Sequence, residues 1–380
     1  VTAPPDPSPE GGGHPPARTQ PREHQWLRLA QIVVLVGALC IVAIGLAAGA
    51  IGVLAGVIGP AGDTLPLVTM SLAFLTLCLA LGAAIAWQAS QALLGRESKP
   101  FRPARTRLLV VLYALALVAG QFVLSRDLLT PVTFPPFHTA ATVLPPLIVL
   151  CLVGGALRGS TRWRDIDLQL GSGAFLSTAL AVLLELVVLV SVVIVVLVVV
   201  TLRPGGLEQI QGFMDHMQDP AWLQDPSGWA PLARSPVVAA LALLVAAVAI
   251  PLIEEAVKTV GVGLAFYRRP GLTEAFLWGL ACSAGFSLVE GMFSTTTALQ
   301  SWAAVVLLRV GATMLHCATG GLMGIAWYAL LAQRDWLRAL ALYFASVSIH
   351  GTWNALTVAM TLASVSSSGG SPQGLATRFA

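Results

Sequence analysis

Charge is what this 380-residue sequence has least of: 10% of its residues are Asp, Glu, Lys or Arg. Soluble globular domains carry about a quarter, so an ordinary water-facing surface is excluded. The net charge is only +3, with the basic residues spread through short loops, which argues against a nucleic-acid partner. Cysteine is scarce too. Cys40, Cys78, Cys151, Cys282 and Cys317 all fall inside apolar runs, where a free thiol packs as a small hydrophobe, so neither a disulfide framework nor a thiolate metal centre is expected. The zinc motif HExxH is missing as well, so any metal site must be assembled from residues far apart in the chain.

Apolar residues, by contrast, make up 56% of the chain, and the mean hydropathy is +0.82. Runs of 20 or more recur, each long enough to cross a hydrocarbon core of about 30 Å as a helix. In lipid the backbone must satisfy its own hydrogen bonds, so the sequence predicts an all-α, polytopic membrane protein of about nine transmembrane helices. The predicted spans are 30–58, 65–89, 106–125, 138–157, 172–202, 236–266, 273–298, 302–331 and 337–363. Residues 1–26, rich in Pro and Gly, read as a disordered cytoplasmic tail, and the run from about Leu29 as a retained anchor. A Pro- and Gly-containing extracytoplasmic loop at 203–235 divides a five-helix region, 27–202, from a four-helix core, 236–363, followed by an extracytoplasmic tail at 364–380.

The loop charges set an orientation. Arg18, Arg22 and Arg28, the cluster from Arg96 to Arg107, then Arg158 to Arg164, Arg268 and Arg269, and Arg334 and Arg338 all fall on one side if there are nine spans. The positive-inside rule then places the N-terminus in the cytoplasm, the C-terminus outside and the chain in the plasma membrane, with Trp302 and Trp327 as interfacial anchors of the eighth span.

Within the first five spans a single acid, Glu185, stands at membrane depth, either as a lone packing residue or as a partner for a polar group in the other half. The last four spans are different. They carry Glu254, Glu255 and Lys258 in PLIEEAVK, Glu290 in FSLVEG, Arg309 and His316 in RVGATMLHC, and His350 and Asn354 in HGTWN. Each charge near a helix centre costs about 2.5–3.5 kcal/mol on insertion scales, so an unselected sequence would not retain such a set. Glu254, Glu290, His316 and His350 all lie near the midpoint of their predicted spans.

Helical spacing adds detail. Glu254 and Lys258 are four apart and can pair, while Glu255 points about 100° away. Phe286 is placed to stack under Glu290, Arg309 shares a face with His316, and His350 with Asn354. Gly279 on the seventh span and Gly320 and Gly324 on the eighth allow close helix approach. Two carboxylates and two imidazoles in a dry layer suit the activation of water against an acyl bond. The same groups could hold a divalent metal, with Glu290, His316 and His350 as ligands and a second Glu as base; metal-free and zinc-dependent catalysis stay open. A proton or cation transporter would be expected to show polar groups in both halves, and a scaffold without activity to have lost a motif carboxylate.

In order along the chain, EExxK at Glu254, Glu255 and Lys258, FxxxE from Phe286 to Glu290, and the helix-borne His316 and His350 resemble the PrsW family of intramembrane proteases. The related CAAX-processing and bacteriocin-processing proteases use Arg after the paired glutamates and His in place of Glu290. The resemblance spans Pro251 to about Met360, and Gly291 stands where the family commonly carries Asn. It implies cleavage of single-span proteins within the lipid bilayer, with an anti-sigma factor as the best-known kind of substrate. It further implies Glu254 or Glu255 as base, the other paired with Lys258, Glu290 and His316 in the water-activating cluster, and His350 with Asn354 at the oxyanion. Lys258, Phe286 and Arg309 are supporting residues on this reading.

Overall fold

The computed structural model describes residues 21–59, 61–103, 105–157, 160–219, 222, 230, 233–296 and 299–367. Among these no strand forms, apart from an isolated bridge between Pro100 and Arg162. Ten helical stretches follow one another: α1 (Pro21–Ile58), α2 (Ala61–Leu93), α3 (Thr106–Arg126), α4 (Thr130–Ala156), α5 (Trp163–Thr201), α6 (Gly206–Met217), α7 (Pro236–Arg268), α8 (Leu272–Thr296), α9 (Leu299–Gln333) and α10 (Trp336–Ser367). All but α6 and α10 are long and apolar enough to cross a membrane, so the protein is a polytopic, all-α membrane protein. At 32 residues α10 has the length, but His350, Asn354 and its many hydroxyls lower its hydropathy.

Some boundaries move. Residues 21–26 of the expected tail already belong to α1, and residues 1–20 lie outside the described part. The segment 203–235 holds the short amphipathic helix α6 rather than only loop, and most of 220–232 is again outside the description. Helix α5 starts nine residues earlier than expected, at Trp163, because the polar stretch Trp163–Gly171 is helical and buries Asp165 and Gln169. Asp165 is paired with Arg268, which ties the start of α5 to the end of α7.

Helix α8 is the centre of the molecule. Its sequence is apolar or small on every side, as a helix surrounded by others must be, and 78% of its most apolar stretch is buried. Leu280, Leu288 and Met292 of α8 join Leu77 and Leu81 of α2, Leu150 of α4, Ile166 and Leu170 of α5 and Cys317 of α9 in one apolar core. The close fit of α8 on α9 depends on glycine: a Cβ on Gly279 would overlap the Gly320 carbonyl, and one on Gly324 that of Ala275. Trp302 is not an interfacial anchor. It is completely buried between α9 and α4, where its indole donates to His138 Nδ1 at 3.1 Å and its ring packs edge-on against Phe134.

Helix α7 is irregular where it matters. Pro251 has no N–H to give to the Ala247 carbonyl, and the preceding turn, Leu244–Ala249, widens to a π-helix. Gly351 of α10 sits against that Ala247 carbonyl, where a Cβ would overlap it. Asn354, one turn further along α10, donates to the neighbouring Ala246 carbonyl at 2.9 Å. A second loosening follows at Lys258 and Thr259. The eight-residue segment Ile250–Val257, carrying both motif glutamates, is therefore held between two irregular turns.

Candidate active site

Four helices, α7 to α10, bring Glu254, Glu255, Glu290, His316 and His350 into one cluster. Lys258 and Glu255 form its innermost part. The ammonium is bonded to Glu255 Oε1 and to the Thr319 hydroxyl of α9, and all three residues are wholly buried. This corrects the pairing expected from i, i+4 spacing. Lys258 takes the glutamate three residues back because the helix loosens at Lys258 itself and Thr319 draws the ammonium towards α9. Glu254 is consequently the motif carboxylate left without a bonded cation.

Each imidazole is held by a carboxylate of its own. His350 Nδ1 lies 3.0 Å from Glu255 Oε1, and its Nε2 faces Glu254 Oε2 at 3.7 Å. His316 Nε2 lies 2.9 Å from Glu290 Oε2, while its buried Nδ1 has no hydrogen-bond partner among the described residues. The two rings meet edge-on with centroids 4.9 Å apart. A carboxylate on one ring nitrogen fixes the tautomer and leaves the other nitrogen's lone pair available.

Arg309 donates from Nη1 to Glu290 Oε1 at 2.8 Å, and its Nη2 lies 2.7 Å from Oε2 as an ion-pair contact, so it neutralises that carboxylate rather than reaching for headgroups. This pair is the accessible rim of the site. Glu290 is 33% exposed and Arg309 18%, against 3% for both histidines. A small cavity lined by Thr142, Ser287, Gly291, Thr295 and Thr313 lies beside Arg309. Phe286 packs on the His316 ring at 5.8 Å instead of lying under Glu290. Asn354, expected at the oxyanion, is engaged with the α7 bulge.

The ligand atoms of Glu254, His316 and His350 all lie within 4.8 Å of one another, and all three residues are buried. The expected metal set contained Glu290 in place of Glu254. Glu290 is instead engaged by Arg309 and His316, behind His316 and outside the three groups whose spacing could hold a metal.

Two contributors were not singled out from the sequence. Thr319 lies one turn beyond His316 on the same face of α9, a spacing that could have marked it. Tyr343 of α10 donates to the Leu252 carbonyl at 2.8 Å, holding the segment with the glutamates against α10. Glu185, the isolated acid of the fifth span, lies on a helix that packs against the Ile250–Val257 segment, and its Oε1 is buried without a hydrogen-bond partner among the described residues.

An apolar cavity of about 880 Å³ between α2, α3 and α4 is lined by none of these groups. No curated protein and no solved structure matches the chain. The model of one family does, the PrsW family intramembrane metalloprotease, over residues 167–369. That match begins inside α5, ahead of the first motif, and takes in every residue of the cluster. With more than half of its length so matched, the chain belongs to the PrsW family and is an intramembrane peptidase of the multi-pass membrane class.

Proposed function

We propose that this protein hydrolyses peptide bonds of single-span membrane proteins, with water activated among Glu254, His316 and His350, and that an anti-sigma factor is its kind of substrate. The observation that carries the assignment is the set of free atoms in a buried layer: His316 Nδ1 has no hydrogen-bond partner among the described residues, and His350 Nε2 faces Glu254 Oε2 at 3.7 Å. The supporting topology has nine spans, with α10 as the last, the N-terminus in the cytoplasm and the plasma membrane as its location.

The donor set, two imidazoles and a carboxylate with atoms within 4.8 Å, suits zinc. A metal held there would supply Lewis-acid polarisation of the scissile carbonyl. The chain's own residues do the rest. Glu254 takes the proton of the attacking water and returns it to the leaving amine. A carboxylate has about four lone-pair sites, so Glu254 can serve a cation on one oxygen and the proton on the other. Glu255, fixed by Lys258 and Thr319, orients His350, and Glu290, fixed by Arg309, orients His316. Burial of Glu255, Lys258 and both histidines keeps bulk water from the inner side, and the accessible Glu290–Arg309 rim marks where water enters.

The deciding experiment incubates the purified protein in liposomes with a pool of single-span membrane proteins, beside the Glu254→Gln variant. Cleavage that falls by roughly 10²–10⁴-fold in the variant is expected from loss of a general base. Equal cleavage by an inserted, folded variant would remove Glu254 from the mechanism.

A further inference from the structure

Arg309 carries more N–H groups than Glu290 engages. Its Nη1 donates to Glu290 Oε1 and its Nη2 makes the ion-pair contact with Oε2, but its Nε is buried and meets no acceptor among the described residues. A buried guanidinium N–H left unmatched is costly, so an acceptor is called for beside it. The same side chain lines the small cavity between α4, α8 and α9, together with Thr142, Ser287, Thr295 and Thr313.

The hydroxyls around that space are arranged as acceptors. Thr142 Oγ1 gives its hydrogen to the His138 and Thr139 carbonyls at 3.0 Å, Thr295 Oγ1 to the Gly291 carbonyl at 2.7 Å, and Ser287 Oγ to Thr313 Oγ1 at 3.1 Å. Their hydrogens are committed within the protein, while lone pairs on their oxygens stay available. The cavity measures about 10 Å³, the room of one water, and its lining is polar, the condition under which a buried space is wet rather than dry. A water there accepts from Arg309 Nε and donates to two hydroxyl oxygens, the usual complement of about three bonds. We infer that this cavity is a water-holding site that supplies the hydrolytic cluster. Arg309 joins the two, since it lines the cavity and contacts Glu290, which in turn holds His316. Water entering at the Glu290–Arg309 rim thus has a fixed station from which the molecule consumed in each turnover is replaced. Thr142 lies on α4, ahead of the matched residues 167–369, so the N-terminal helices contribute a group to the reaction. The supply role rests on the proposed hydrolysis; the water site itself does not.

The test has two arms. In a crystal structure of the parent at a resolution that shows waters, one water is expected within about 3.2 Å of Arg309 Nε and in reach of the Thr142 and Thr295 hydroxyls. In the second arm, cleavage is measured for Thr142→Val/Thr295→Val, which keeps the side-chain shape without the acceptors, and for Thr142→Ser/Thr295→Ser, which keeps the acceptors. The Val pair should lower kcat roughly tenfold with KM unchanged, the effect of losing two hydrogen bonds to the held water, and the Ser pair should run within about threefold of the parent. A Val pair that cleaves at the parent's rate, or a Ser pair as slow as the Val pair, overturns the supply role. The first arm needs neither a folded variant nor turnover: a parent that cleaves but shows no water at Arg309 Nε overturns the inference alone. A parent that shows the water but cleaves no single-span protein removes the proposed hydrolysis, and the supply role with it, while the water site stands.

Discussion

Glu255 and His350 stand 95 residues apart in the chain and meet at 3.0 Å, Oε1 to Nδ1, inside a shell that excludes solvent from both. The same oxygen also receives Lys258 and the Thr319 hydroxyl, so one carboxylate atom joins α7, α9 and α10. The most deeply buried charge of the site is therefore a structural junction as well as a chemical one.

Lys258→Met should destabilise the protein by about 3–5 kcal/mol, because it leaves Glu255 buried without its cation. The double variant Lys258→Met/Glu255→Leu should recover most of that loss while remaining inactive. Thermal unfolding in detergent, followed by helical circular dichroism, checks both; a single variant as stable as the parent would show that His350 and Thr319 suffice.

Arg309→Lys should lower cleavage about tenfold, since an ammonium cannot place charge near both Glu290 oxygens as the planar guanidinium does. Arg309→Met should lose more, and both should remain inserted. Turnover rates set beside Glu290→Gln provide the comparison, and a fully active Lys variant would limit Arg309 to charge neutralisation.

Chelation should abolish cleavage, and stoichiometric zinc should restore it. His316→Ala and His350→Ala should each bind zinc at least tenfold more weakly, in line with the loss of one ligand from the compact set. A metal-free sample with full activity would instead assign the chemistry to Glu254 alone.

Gly279→Leu should cost about 1–3 kcal/mol or more and lower activity as well, because its side chain would be driven into the backbone of α9 at Gly320 and Gly324. Gly291→Ala, where nothing lies within 4 Å of the added carbon, is the control and should be neutral. Equal stability of the two variants would contradict the close α8–α9 fit.

The fold class was readable because intramembrane helices must be long and apolar, and composition alone displays that. The convergence of Glu254, Glu290, His316 and His350 was readable from depth, since polar groups near the middle of consecutive spans have few places to go but towards one another. Pairings within the cluster were not. Helical spacing allowed Lys258 to join Glu254 at i+4 or Glu255 at i+3, and the choice was made by a helix break and by Thr319 on another helix. Asn354 shared a face with His350 as expected, yet its partner was a carbonyl exposed by Pro251 and the π turn, a backbone detail that side-chain patterns do not display. Trp302 resembled a headgroup anchor because it sits at a helix end, and only its contact with His138 on α4 reveals an interior residue.

The junction at Glu255 also bears on how the chain is made. Glu255 and Lys258 leave the ribosome almost together and can neutralise each other at once, but Thr319 follows Lys258 by 61 residues and His350 follows Glu255 by 95. At synthesis rates of about 5–20 residues per second, His350 arrives roughly 5–20 s after Glu255. During that interval the first stretch of α7, Pro236 to Ile253, is free of charge and can enter the bilayer unaided, while the glutamates that follow it at mid-helix must stay near water or be sheltered by the insertion machinery. Completion of α10 then supplies the last of these partners, so a chain cut short before His350 would hold a membrane helix whose mid-span Glu255 lacks its imidazole.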